Sequence, residues 1–234
     1  MKTELIYGIR PVVEALNSRR RKVFEVLDAS GNREVSSLAR ESRTIVKSVP
    51  RQQIEELARG AVHQGVAARV GSYPYSGLEE ILSAPNPLVL ILDGVTDPHN
   101  LGAVLRVADG AGAEGVVIPK DRAAGITAAV VKASAGASEH VRVARETNLR
   151  RAIDRMKRAG MWMYAAEVGG ARYTNTDLSG PVGLVLGSEG RGVRRLVREG
   201  CDGVVSVPML GAVGSLNVSV AASVLLYEAA RQRG

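Results

Sequence analysis

From Leu88 onward, uninterrupted apolar runs alternate with stretches in which apolar residues recur every three or four positions. The runs LVLILD, GVVIP, MWMYAAE, VGLVLG and VVSVPM predict strands buried on both faces of a parallel sheet. Between them, HNLGAVLRVADGAGA, TNLRRAIDRMKRAG, VRRLVREG and LNVSVAASVLLYEAARQR predict helices, the alternation of an α/β domain. Before residue 73 the segments are shorter. PVVEALNS, with Pro11 at a favoured first-turn position, VSSLARES and RQQIEELA predict helices, while KVFEVLDA and TIVKSVP read as extended. This is the pattern of a small α/β unit. SYPYSGLEEILSAPNP concentrates Pro, Ser, Gly and Asn around one short helical turn, as a linker does. The expected division is therefore a first domain over 1–72, a linker over 73–87 and a second domain over 88–234.

Composition narrows the classes. The 234 residues suffice for a real core. With no apolar run of about 18 residues and no charged-then-apolar leader, nothing suggests a membrane span or export, and a cytoplasmic protein is expected. The single cysteine, Cys201, and three scattered histidines offer no zinc-ligand cluster, so no metal is expected. Cys201 sits in REGCDG between a predicted helix and strand, where a structural role outweighs a nucleophilic one.

Basic residues number 31 against 24 acids, a net charge of +7 that suits a polyanionic partner. The excess is uneven: residues 1–72 hold 13 basic and 8 acidic residues, the rest 18 and 16. The first domain is thus the first candidate for touching nucleic acid, although solvated helix faces explain the charge as well. One Phe, one Trp and six Tyr are too few for an aromatic platform that stacks single-stranded bases.

Three strand-to-helix junctions carry unusual residues, and in open α/β sheets ligands bind beyond the carboxyl ends of strands. In DGVTDPHNLGAVLR, Asn100 can cap the helix and Arg106 follows six residues later, on roughly the same flank; a capped helix with a surface arginine explains both equally well. LGSEGRG, Leu186 to Gly192, is glycine-dense but matches neither the GxGxxG nor the GxxxxGK[ST] spacing, which speaks against a dinucleotide-dependent dehydrogenase or a nucleotide triphosphatase. Its Glu189 could bond a ligand or place negative charge near a helix N-terminus. In VPMLGAVGSLNVS the last helix starts near Ser215, an ordinary N-cap residue, whereas Asn217 just inside it competes with helical hydrogen bonding and adds no packing.

Taken together, LDGVTDPHNLGAVLRVADGAGAEGVVIPKDRA, LVLGSEGRGVRRLVREGCD and VPMLGAVGSLNVSVAASVLLYEAARQR resemble the SpoU/TrmH group of RNA ribose 2′-O-methyltransferases of the SPOUT superfamily, nearest to members that methylate a guanosine in the P-loop of large-subunit ribosomal RNA. The resemblance covers essentially the whole chain, more loosely in the first domain, where IYGIRPVVEAL and GAVHQGVAARV carry it.

The resemblance implies an L30e-like RNA-binding domain followed by a catalytic domain with a deep C-terminal trefoil knot, a feature no periodicity predicts. It implies S-adenosylmethionine as cofactor, held largely by backbone at Gly187, Val207, Met209 and Leu216. Its functional set falls on Asn100, Arg106, Glu189, Ser215 and Asn217, all five present. A guanidinium stays protonated at neutral pH and makes a poor base, so Arg106 is expected to grip the adjacent phosphate and stabilise the developing alkoxide. Ser215 and Asn217 would orient the cofactor, a ribose or Arg106, and Glu189 would order the cofactor loop. Such enzymes are typically homodimers joined through their C-terminal helices; here Leu216, Val220, Val224 and Tyr227 lie on one side of that helix, a stripe that equally suits packing on its own sheet. The expected partner is 23S ribosomal RNA or an assembly intermediate. The rival readings are a transfer-RNA methyltransferase of the same group and a non-catalytic RNA-binding assembly protein.

Overall fold

A computed structural model describes residues 3–188 and 190–234. The chain separates into two compact units, Met1–Pro74 with Ile126–His140, and Tyr75–Gly125 with Val141–Gly234. The chain therefore passes between them three times. Residues 126–140, which the chain's rhythm counts with the second domain, group with the first.

In the first unit, β1 (Thr3–Tyr7), β2 (Val23–Asp28), β3 (Ile45–Ser48) and β4 (Val66–Gly71) form a sheet in the order β1-β4-β2-β3. Its helices are α1 (Ile9–Ser18), α2 (Arg33–Glu41) and α3 (Arg51–Ala58), all three at the expected segments. β1 and β4 were not expected as strands. β4 lies in the sheet interior, where Val66, Ala67, Ala68 and Val70 are fully buried, and two consecutive alanines leave little of the β-branched signal that marks a strand.

The returning segment 126–140 supplies α6 (Ala128–Ala133) and a buried ionic lock. Both Arg21 and Glu139 are buried; Arg21 Nε donates to Glu139 Oε2 at 3.0 Å, Nη2 to Oε1, and Nη1 to Glu4 at 3.2 Å. Tyr73 adds its ring face to the guanidinium at 5.6 Å and its hydroxyl to the Ser138 carbonyl at 2.8 Å. Charges this deep persist only when each is paired, so removing either partner leaves an uncompensated ion.

The second unit holds a six-stranded sheet in the order β10-β8-β9-β5-β6-β7, with every neighbouring pair parallel. Its strands are β5 (Leu88–Asp93), β6 (Gly115–Pro119), β7 (Arg142–Glu146), β8 (Trp162–Arg172), β9 (Val182–Gly187) and β10 (Gly203–Ser206). β5, β6 and the first five residues of β9 are buried throughout, as uninterrupted apolar strands between helices must be. The connecting helices are α4 (Leu78–Leu82), α5 (Pro98–Gly110), α7 (Leu149–Arg158), α8 (Arg195–Arg198) and α9 (Val218–Arg233). α4 belongs to the stretch expected as a linker, yet Leu78 and Ile81 are buried in the core of this unit.

α8 is only four residues long, although VRRLVREG has a longer helical pattern. Arg194 is extended, with φ −60° and ψ 139°, because its backbone N–H goes to Asp93 Oδ2 at 2.8 Å rather than into a helix.

The C-terminal end of α9 is tied down by Glu228, which accepts from Arg231 Nε at 2.9 Å and from Gln232 Nε2 at 2.8 Å. Gln232 in turn accepts from Leu178 N at 2.7 Å. The Arg231 and then the Gln232 hydrogen bonds hold the Glu228 carboxyl down at about 2, against an ordinary 4.5. A depressed carboxyl stabilises the fold above its unfolded value and loses that contribution as pH falls towards its folded one. Glu228→Gln is therefore expected to lower the urea midpoint at neutral pH, and the gap from wild type should close between about pH 4.5 and about pH 2. A gap independent of pH would exclude the carboxylate as its source.

Candidate active site

The sheet order reverses between β5 and β9, which pair in register from Leu88↔Val182 to Asp93↔Gly187. Crevices open beyond the carboxyl ends of strands at such a point. Two adjoining cavities lie there. The larger, about 510 Å³, is walled by Glu167, Gly187, Ser188, Arg191, Ser215 and Leu216 among others. The smaller, about 120 Å³, is an apolar slot whose walls include Val205, Val207, Met209, Leu216 and Leu225. Ala166, Glu167, Val168, Ser215, Leu216 and Ala221 border both, so the two form one connected space.

Each wall has a local cause. Val204 pairs with Ala165 of β8, but the next residue, Val205, pairs with Ala171, so residues 166–170 of AEVGG loop out of the β8–β10 ladder. That outward loop is what brings Ala166, Glu167 and Val168 to the cavity. Gly170 permits it, since a Cβ there would overlap the Val204 backbone.

The opposite wall is the turn after β9, where Gly192 N donates back to the Ser188 carbonyl at 3.0 Å. Asp93, fully buried at the end of β5, anchors the exit of this turn by accepting from Arg194 N at 2.8 Å, Nε at 2.7 Å and Nη2 at 2.6 Å. Asp93→Ala removes these charge-assisted bonds and should lower the unfolding free energy by about 1–3 kcal/mol, measurable by urea titration. An unchanged midpoint would mean that the turn is held by its backbone alone.

The third wall is the segment 207–216 leading into α9. The cap of α9 is Asn217 rather than Ser215: Asn217 Oδ1 accepts from Ser219 N at 2.9 Å and from Ser219 Oγ at 2.6 Å. Its amide Nδ2 donates to Asn100 Oδ1 at 3.0 Å. The asparagine that adds nothing to packing thus joins the first turns of α5 and α9. Asn100 does not cap α5; Asp97 does, accepting from His99 N at 3.0 Å.

Of the expected site residues, Gly187, Val207, Met209, Ser215 and Leu216 come together around the connected space. Asn100 and Asn217 meet beside it. Arg106 is exposed, lines neither cavity, and among the described residues has no hydrogen-bond or ion-pair partner. Six helical steps of 100° set it about 120° round α5 from Asn100, so the two do not share a flank. Glu189 lies outside the described residues.

Three polar residues at the site were not expected. Asp93 is the one charged residue closing an otherwise apolar strand, a signal that sequence carries. Glu167 borders both cavities and pairs with Arg198 at 3.1 Å, and only the outward loop reveals it. Arg191 enters from the GSEGRG turn. Burial pushes the Cys201 thiol up to about 12, away from the thiolate that a nucleophile needs. Among the described residues no group of three or more His, Cys, Asp and Glu is placed to hold a metal, and no helix is long and apolar enough to cross a membrane.

The arrangement suits a ligand with a flat apolar end and a polar, charged end: the slot accepts the former, and the larger space, with Glu167, Arg191 and Ser215, the latter. Residues 87–227 match the model of the SpoU rRNA methylase family, and residues 5–76 match that of the RNA 2′-O ribose methyltransferase substrate-binding domain. The 23S rRNA (guanosine-2′-O-)-methyltransferase RlmB of Escherichia coli strain K12 is 43% identical over 242 residues, 99% of each chain. That of Pseudomonas putida is 43% identical over 242 residues, 98% of this chain and 97% of the other. Among solved structures, the SpoU methyltransferase AviRb from Streptomyces viridochromogenes in complex with AdoMet superimposes with a TM-score of 0.85 at 28% identity, covering 98% of this chain and 89% of that one.

Proposed function

The chain belongs to the SpoU rRNA methylase family, and from that premise we propose that it transfers a methyl group from S-adenosylmethionine to the ribose 2′-oxygen of a guanosine in 23S ribosomal RNA, in the peptidyl-transferase P-loop. The observation that carries this reading is the convergence of three separate stretches, Ala166 to Val168, Gly187 with Ser188, and the segment holding Val207, Met209, Ser215 and Leu216, on one connected space. The full reading includes a C-terminal trefoil knot, an L30e-like first unit that captures RNA, and a cytoplasmic site of action.

The residues present fit the cofactor. The slot between Val207, Met209 and Leu216 has the size and polarity for a purine ring, and contacts through backbone groups explain why those positions need no special side chains. Bound there, the cofactor supplies an electrophilic methyl group on a sulfonium. The chain's own residues position the acceptor and stabilise the charge left on its oxygen as its proton passes to water. Arg106 grips the phosphate beside the target ribose and stabilises negative charge on the 2′-oxygen as the hydroxyl loses its proton. The Asn100–Asn217 bond fixes the heads of α5 and α9, the helices that carry Arg106 and close the cavity.

The protein acts as a homodimer in this reading. Val220 and Tyr227 remain 46% and 55% exposed, so the apolar stripe of α9 is not used up on its own sheet. A second copy covers it. Light scattering at micromolar concentration should give the dimer mass; a monomer would remove this part of the reading.

The test is calorimetry with S-adenosylmethionine, followed by mapping of ribose methylation after incubating 23S and transfer RNA with the purified protein. Methylation confined to transfer RNA would overturn the target, and absence of cofactor binding would favour a non-catalytic assembly protein.

A further inference from the structure

The second unit has another concavity that shares no residue with the cofactor space. Beyond the carboxyl ends of β7 and β9, the first turn of α7 and the α8 segment enclose about 540 Å³, bordered by Asn148, Leu149, Arg150, Arg194, Arg195 and Leu196.

Residues 142–158 and 191–199 hold 11 basic and 3 acidic residues, against 6 and 12 in the rest of the unit. Six acids of that rest, Glu79, Glu80, Asp93, Glu114, Glu167 and Asp202, pair with basic residues of these two stretches, so the local positive excess is smaller than the sequence count, and it is the rim arginines of the concavity that matter.

The three bordering arginines are oriented by acids of their own unit: Arg150 by Asp154 at 3.1 Å, Arg195 by Glu199 at 2.6 Å, and Arg194 by Asp93. Each pairing uses part of a guanidinium's five donors, and the side chains stay 41%, 77% and 61% exposed. Planar forks held in fixed directions at the rim of a concavity match phosphate oxygens. With no aromatic side chain among its walls, the groove suits backbone contact rather than base stacking.

We infer that this arginine groove is a phosphate track that holds the RNA backbone next to the target nucleotide, an RNA contact on the catalytic unit itself in addition to the first unit. The inference rests on the RNA methyltransferase reading above. Phosphate contacts steer association and fix register, so the groove governs RNA affinity and its salt dependence, not cofactor binding.

The test uses the full chain and a 23S rRNA transcript, with anisotropy titrations over a salt series. Arg150→Gln/Arg195→Gln should raise the RNA Kd roughly tenfold at about 150 mM salt and reduce the slope of log K against log salt by about one to two, as two lost phosphate contacts require. The KM for RNA should rise with kcat retained, and the Kd for S-adenosylmethionine should stay unchanged. A control, Arg122→Gln/Arg172→Gln, removes the same charge from elsewhere in the unit and should leave the slope alone. Arg195→Gln by itself, at a highly exposed position, should give about half the slope change and guards against misfolding of the double variant. Equal effects of both double variants, or none from either, would overturn the groove. Failure of the wild-type protein to bind RNA at all would instead strike the methyltransferase reading.

Discussion

Arg106→Ala is expected to slow methyl transfer by about 10²–10³, the usual cost of removing one donor aimed at developing oxyanion charge, while melting temperature and the Kd for S-adenosylmethionine stay at wild-type values. The separation of effects follows from where Arg106 sits. It is exposed on α5, lines neither cavity, and has no hydrogen-bond or ion-pair partner among the described residues, so neither the fold nor the cofactor space depends on it. In the proposed reading this side chain contributes only when RNA arrives. Arg106→Lys separates charge from geometry: it keeps the cation but loses the bidentate fork, and should recover little of the lost rate. Single-turnover assays with saturating cofactor would measure both. Wild-type rates for the lysine variant would sink the proposed role of the guanidinium, and a weakened cofactor Kd would mean that Arg106 supports the cavity after all.

What the sequence discloses and what it hides divide along physical lines. β5, β6 and most of β9 are legible because a strand buried on both faces must be apolar at every position. The helices of the first unit are equally plain, since each repeats its apolar positions with the helical period. Features that depend on contacts far apart in sequence are not legible. The buried lock between Arg21 and Glu139 joins residues 118 positions apart and draws 126–140 into the first unit, yet each residue alone reads as surface charge. The outward loop at 166–170 is invisible because MWMYAAEVGGAR remains a plausible strand until β10 pairs on either side of the interruption. At the site, the glycines and the Ser215–Asn217 stretch were visible as misfits in helices and strands, whereas Asn217's partner Asn100, 117 residues away, emerges only when α5 and α9 are packed together.

The cofactor space should be most sensitive at a position with no side chain. Gly187 ends β9 and faces the turn that folds back over it; a Cβ there would overlap the backbone of Gly192 and Val193, not the movable end of a side chain. Backbone cannot give way without displacing the whole turn, and the turn is fastened at both ends, by the Gly192 to Ser188 hydrogen bond and by Asp93 on Arg194. Gly187→Ala must therefore push the wall of the larger cavity outward or strain β9, at a cost of roughly 1–3 kcal/mol typical of overpacking. If that cost falls wholly on the bound arrangement, each 1.4 kcal/mol weakens binding about tenfold, so the Kd for S-adenosylmethionine should rise by roughly ten- to a hundredfold. Gly180→Ala is the matched control, since a Cβ there meets nothing within 4 Å, and its affinity should be unchanged. The two variants, compared by calorimetry and thermal melting, separate a steric effect at the cavity from the general consequence of replacing glycine. Wild-type affinity in Gly187→Ala would show that the turn after β9 can move without loss, and that the cofactor is held by the β10–α9 segment alone.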